Sequence, residues 1–142
     1  MEGVEDKLAE KIKAEMITTH EDALERGYDM AKRLVGITMK GLVDVKEKDR
    51  LSGKEKIMTY LIGAQYSKRA GLRESAAVSN EELCTEMGLP QGSVLPWTKM
   101  LREEGVIESE PLSDGKRMGH VIKANQIERK LKELIQKYGT NE

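Results

Sequence analysis

Phenylalanine is absent from this 142-residue sequence, and tryptophan occurs once. The interior must therefore be filled by Leu, Ile and Val and by eight methionines, with Trp97 and four tyrosines as the whole aromatic complement. A single cysteine, Cys84, excludes an internal disulfide. With only His20 and His120 to accompany it, no zinc-ligand spacing exists. These absences predict a reducing, cytoplasmic setting and neither metal nor cofactor. No apolar run is long enough for a transmembrane helix. The opening MEGVEDKLAEK has neither the basic nor the apolar segment of a secretory signal, so no membrane association is expected. A surplus of positive charge is missing too. The formal net charge is −1, whereas a strongly basic domain would point directly to nucleic acid.

Catalytic patterns are equally scarce. No serine–histidine–acid or paired-carboxylate arrangement can be argued from the spacing, and no enzymatic activity is expected. Ser52-Gly53-Lys54 looks like the end of a phosphate loop, but Lys48 stands where the loop needs its first glycine. His20 beside Glu21 and Asp22 does not define a metal site. Cys84, between Leu83 and Met87, reads as a small residue near the core, with a thiol sensor as the alternative.

What is present is helical periodicity. Val4, Leu8, Ile12 and Met16 recur every four residues and predict a helix over 4–17. A second helix is expected over 21–34, weakened at Gly27 by about 1 kcal/mol relative to alanine. β-branched residues on either side of Lys40-Gly41 suggest a short hairpin. A charged stretch, 46–50, then separates a helical N-terminal accessory segment, 1–50, from a domain over 51–142.

That domain has clear punctuation. Ser52 and Glu55 form a capping box for a helix running to about Arg69, stopped by Gly71. Residues 72–78 are extended or irregular, long enough for a short edge strand. Ser79 and Glu82 read as a second capping box, opening a short helix, 80–87, that Gly88 ends. A tight turn, 89–92, leads to a helix from Gln91 to Glu104, stopped by Gly105. Two strands, 106–110 and 120–123, flank a loop with Asp114-Gly115 at its tip, a strong hairpin signal. Asn125 is placed to cap a final helix carrying Ile127, Leu131, Leu134, Ile135 and Tyr138. The predicted fold class is mostly α with a small β-hairpin wing: a winged helix-turn-helix domain preceded by a helical N-terminal segment.

The stretch from Val78 to Ile107, with its polar cap, Glu-Glu-Leu helix, short turn and Ser93-Val94…Leu101…Gly105-Val106-Ile107, resembles the core of winged-helix regulators of the MarR and ArsR kind. The resemblance covers about residues 52–123. The chain as a whole is similar to uncharacterised archaeal winged-helix proteins. It implies a regulator of transcription that binds double-stranded DNA, often as a homodimer. Winged helices also serve as protein-docking modules, and fold alone does not choose between these roles.

Helical spacing puts Val94, Leu101 and either Trp97 or Thr98 on the inner face of the 91–104 helix. The outer face keeps Ser93, Leu95, Pro96, Lys99, Met100 and Arg102. For a DNA reader the candidate contacts are Gln91, Ser93 and Lys99, which suit base edges or phosphate, with Arg102 nearer the backbone. Lys116 and Arg117 would extend the contact from the wing. The alternative is a solvated helix face and an ordinary polar hairpin tip. Pro96 predicts either a late helix start near Ser93 or a mild bend. Leu95, Pro96 and Met100 make the tip apolar, which suits a protein partner. From Ser79 to Asn125 five basic residues face eight acidic ones, and phosphate affinity depends on cations. Residues 52–78 carry the opposite balance, five basic to two acidic. For a homodimer, the last helix and the apolar stripe of the first are the two candidate surfaces.

Overall fold

The computed structural model describes residues 2–138, with side chains from Asp6 onward. Val4 of the predicted stripe therefore lies outside the described side chains, and the last four residues of the predicted domain, 139–142, lie outside the described residues. The order is α1 (Glu2–Glu15), α2 (His20–Leu34), β1 (Val35–Ile37), β2 (Val43–Val45), a single 3-10 turn (Lys48–Arg50), α3 (Gly53–Arg69), α4 (Asn80–Met87), α5 (Gln91–Glu103), β3 (Ile107–Pro111), β4 (Met118–Ile122) and α6 (Ala124–Tyr138). This is a mostly helical chain in which α4 and α5 form the helix-turn-helix and β3–β4 the wing. No helix among the described residues is long and apolar enough to cross a membrane.

Helix α3 is the centre. Every residue from Ile57 to Gln65 is buried, so the helix has no solvent face, as expected where other elements surround it. Helices α2, α4, α5 and α6, both strands of the first hairpin and the returning strand of the wing all pack on it. Full burial of Ile57, Leu61 and Ile62 contributes about 1.5–3 kcal/mol each. The capping box at its start is complete: Ser52 Oγ accepts from the Glu55 N–H, and Glu55 Oε1 accepts from the Ser52 N–H. Glu55 also accepts from the Tyr138 hydroxyl at 2.7 Å and from Lys137 Nζ at 2.9 Å, which ties the end of α6 to the start of α3. Both α3 and α5 end in the same way, with Gly71 and Gly105 at positive φ. In each, the next two N–H groups fold back onto the last turn, a Schellman closure.

The two-stranded sheets are antiparallel. The first pairs Val35 with Val45 and Ile37 with Val43, and its inner side rests on α3, where a Cβ at Gly63 would collide with Val43. The wing pairs Ile107 with Ile122 through to Pro111 with Met118. Val78 adds a one-residue third strand, exchanging both backbone bonds with His120 at 3.0 and 2.9 Å.

Helix α5 starts at Gln91, as the 91–104 span predicts and not at the later alternative near Ser93, with Pro90 as N-cap. Pro96 thus lies in the second turn, and its missing N–H leaves the Gly92 carbonyl without its usual helical donor. Asn125 lies inside the first turn of α6 instead of capping it. Ser79 caps α4 through the Glu82 N–H, but Glu82 does not return the bond; its carboxylate turns inward to Tyr60 and Arg73.

Gly27 also has a different meaning from the one propensity assigns. It is buried where α2 crosses α6, and a Cβ there would stand 2.5 Å from Leu131 Cδ1 and 3.3 Å from the Tyr66 hydroxyl. The apolar side of α6, with Ile127, Leu131 and Leu134 buried, is covered within the same chain, mainly by α2. Helix propensity alone predicts that Gly27→Ala stabilises by about 1 kcal/mol. The packing predicts the opposite, a net loss of about 1 kcal/mol or more from overpacking, measurable as a lowered urea midpoint at unchanged slope.

Candidate nucleic-acid interface

Helix α5 presents the side expected of it. Val94, Thr98 and Leu101 are buried, and Trp97 is partly buried with its ring on Gly53, where a Cβ would collide with it. That contact seats α5 on the first turn of α3. Gln91, Leu95, Pro96, Lys99, Met100 and Arg102 are exposed and Ser93 is half-buried. Pro90 has no side-chain oxygen to cap the first N–H groups of α5, so this end of the helix remains open to an anionic acceptor.

Arg102 is not a loose cation. Its Nη2 lies 2.8 Å from His120 Nδ1, and His120 Nε2 lies 2.8 Å from Asn80 Oδ1. Arginine has only donors and an amide oxygen only accepts, so the imidazole is neutral with its proton on Nε2. It accepts from Arg102 and donates to Asn80. Burial, and then the adjacent Arg102 charge, push the His120 pKa down to about 4. One side chain from α4, one from α5 and one from the wing thus form a relay that fixes the angle between helix-turn-helix and hairpin. Nothing about a lone histidine after a glycine signals this in advance. The only clue was that position 120 falls on the inner register of a strand that must pack against the two helices.

At the wing tip, Asp114 Oδ1 accepts from the N–H groups of Lys116 at 2.8 Å and Arg117 at 3.0 Å, and Asp114 Oδ2 accepts from Arg117 Nε at 3.0 Å. The two backbone donors, with the Arg117 guanidinium, hold the Asp114 carboxyl down to about 2. Arg117 is therefore partly neutralised by its own turn. Lys116 and Lys99 have no ion-pair partner among the described residues.

Of the eight acidic residues from Ser79 to Asn125, three are ion-paired and two lie on the far face of the wing, while Glu81, Glu86 and Glu103 have no ion-pair partner among the described residues. Glu82 is engaged by Arg73 and Tyr60, Glu104 by Lys54 at 2.8 Å, and Asp114 by Arg117. Glu108 and Glu110 alternate with Ser109, which pairs with His120; they therefore lie on the opposite face of the wing from His120 and Arg102. The side of the wing that continues the α5 surface carries Ser109, Pro111 and Met118 instead. Of the basic residues over 52–78, Arg73 and Arg69 are engaged by Glu82 and Glu21.

Among the described residues, no group of three or more His, Cys, Asp or Glu side chains is arranged to hold a metal ion. Cys84 is partly buried against the core. Comparison with known protein families, with curated proteins and with solved structures returned no match to this chain.

The neutral His120 has a thermodynamic consequence. In the unfolded chain it binds a proton near pH 6.5, but in the fold only near pH 4. Above pH 6.5 both states are neutral there. As the pH falls from 6.5 to 4 the unfolded state gains the proton first, so stability declines across that window, by up to about 3 kcal/mol. Chemical denaturation at pH 7 and pH 4.5 should show wild type losing more stability than His120→Gln. Equal losses would remove His120 as the titrating group.

Proposed function

We propose that the protein is a DNA-binding winged-helix protein, a regulator of transcription, whose contact surface is the outer side of α5 continued by the wing. The observation that carries this reading is the distribution of charge. Lys99 and Lys116 stand free, Arg102 is held by the wing strand, and most nearby carboxylates are paired or turned away. Gln91 and Ser93, at the open end of α5, are the base-edge candidates, and Arg117 supports the tip. A net-acidic module can bind a polyanion when its cations converge on one face.

A duplex-binding titration over a range of salt concentrations tests it. Affinity should fall as salt rises, and the log–log slope should diminish by about 1 for Lys99→Ala and by about 2 when Lys116→Ala is added. Absence of binding at low salt, or binding unchanged by Lys99→Ala with Arg117→Ala, rejects the reading.

A second reading rests on a separate observation. Leu95, Met100 and Met118 are exposed large hydrophobic side chains on this same surface, joined by Pro96, and clustered apolar exposure marks protein contacts. If the surface docks a protein, Leu95→Asp should abolish capture of that partner. If it reads DNA, the same substitution should leave the salt slope unchanged.

A further inference from the structure

Two arginines of the contact surface are held in opposite ways. Arg117 Nε donates to the Asp114 carboxylate at 3.0 Å, which steadies the side chain and cancels part of its charge. Arg102 Nη2 donates to His120 Nδ1 at 2.8 Å, and this acceptor is neutral. Arg102 has no ion-pair partner among the described residues, so it is held with its full charge. One of the five guanidinium donors goes to the imidazole. The other four meet no acceptor among the described residues.

The imidazole is itself well supported. His120 is 8% exposed. Its main chain exchanges both bonds with Val78, at 3.0 and 2.9 Å, and its Nε2–H donates to Asn80 Oδ1 at 2.8 Å. Asn80 follows the Ser79 N-cap in the first turn of α4. Backbone and ring are both fixed, and so is the direction of the Nδ1 lone pair. Arg102 stands exposed in the last turn of α5, at the seam where the helix meets the wing.

Such an acceptor does what a carboxylate cannot. A flexible arginine loses rotamer freedom when it grips a phosphate, and holding it beforehand reduces that loss. A carboxylate would hold it equally well but would neutralise the charge that a phosphate needs. A neutral imidazole supplies the orientation and leaves the charge. The competing explanation is purely structural: the relay only sets the angle of the wing.

We propose that His120 is a positioning residue for DNA that acts through Arg102. With its proton kept on Nε2 by Asn80, it presents Arg102 to a backbone phosphate at the seam between α5 and the wing. This rests on the DNA-binding reading above. It gives Asn80 and His120, neither of which is a contact residue, a part in affinity.

Duplex titrations over a range of salt at neutral pH, arranged as a double-mutant cycle, test this. Arg102→Ala should lower the log–log slope by about 1. His120→Gln, whose amide carries one acceptor and one donor, should bind as wild type does. His120→Leu should weaken binding at least about threefold, and that loss should vanish in an Arg102→Ala background. His120→Glu, with the Asn80 amide turned to donate to it, should hold Arg102 but cancel its charge, lowering the slope by about 1. A purely structural role gives different results. His120→Leu then costs as much beside Arg102→Ala as alone, and His120→Glu leaves the slope at its wild-type value. Either result overturns the proposal while duplex binding by wild type stands, and the Gln and Glu variants decide the matter if His120→Leu does not fold. A wild type that binds no duplex at low salt rejects the DNA-binding reading itself, and this inference falls with it.

Discussion

The carboxylate of Glu82 is the point at which the parts of this molecule are joined. It accepts from the Tyr60 hydroxyl at 2.5 Å and takes both Arg73 Nη1 and Nη2, at 2.9 and 3.0 Å. Arg73 in turn donates to the carbonyls of Ser75, Ala77 and Gly41, and Ser67 Oγ donates to the same Gly41 carbonyl at 2.9 Å. Through these bonds one ion pair binds α3, α4, the irregular 72–78 segment and the first hairpin. Burial and the adjacent carboxylate both hold the Tyr60 hydroxyl in its protonated form, far above the usual tyrosine range. The pair is bidentate and saturated, the condition under which a shielded charge pair is tolerated. Removing either partner would leave an uncompensated charge, at a cost of about 3–5 kcal/mol.

That junction explains why residues 72–78 need no regular structure. Arg73 satisfies the carbonyls that a helix or strand would otherwise satisfy, and the segment delivers Val78 to His120 as a third strand one residue long. The wing is thereby fixed at its base from two sides: backbone bonds to Val78, and the Asn80–His120–Arg102 relay to the helices. Its tip is closed by the Asp114 bonds and by two backbone bonds, from the Leu112 N–H to the Arg117 carbonyl at 2.7 Å and from the Gly115 N–H to the Leu112 carbonyl at 2.8 Å.

Much of this fold was legible because its boundaries are written in local chemistry. Ser52 with Glu55, Gly71, Ser79, Gly88, Gly105 and Asp114-Gly115 act through neighbours in sequence, and each sits at the end of the element it was expected to bound. The errors arose where a side chain had a long-range alternative. Glu82 has the spacing of a capping-box partner, but a buried tyrosine and an arginine compete for its carboxylate and win. Gly27 has the propensity of a helix breaker, yet its lack of a side chain is what lets Leu131 approach. Pro96 left a late start near Ser93 or a mild bend open beside the span from Gln91, and the helix starts at Gln91. The candidate contacts on α5 followed from periodicity alone. The relay through His120 did not, since it joins residues 18 and 40 positions apart.

The disposition of apolar exposure bears on what the molecule is built to do. A chain without phenylalanine, and with a mean hydropathy of −0.58, has little apolar surface to spare. Single exposed hydrophobic residues scattered over a surface need no explanation. Here they are not scattered. Leu8, Ile12, Met16 and Ile17 fall on α1 and its connection, Tyr28 on α2 and Met39 in the turn of the first hairpin. Leu95, Met100 and Met118 fall on α5 and the wing. The rest of the surface is charged, with ion pairs such as Arg26–Glu128 and Arg69–Glu21 bridging neighbouring helices. The region at α5 and the wing sets Lys99, Arg102 and Lys116 beside its exposed apolar side chains.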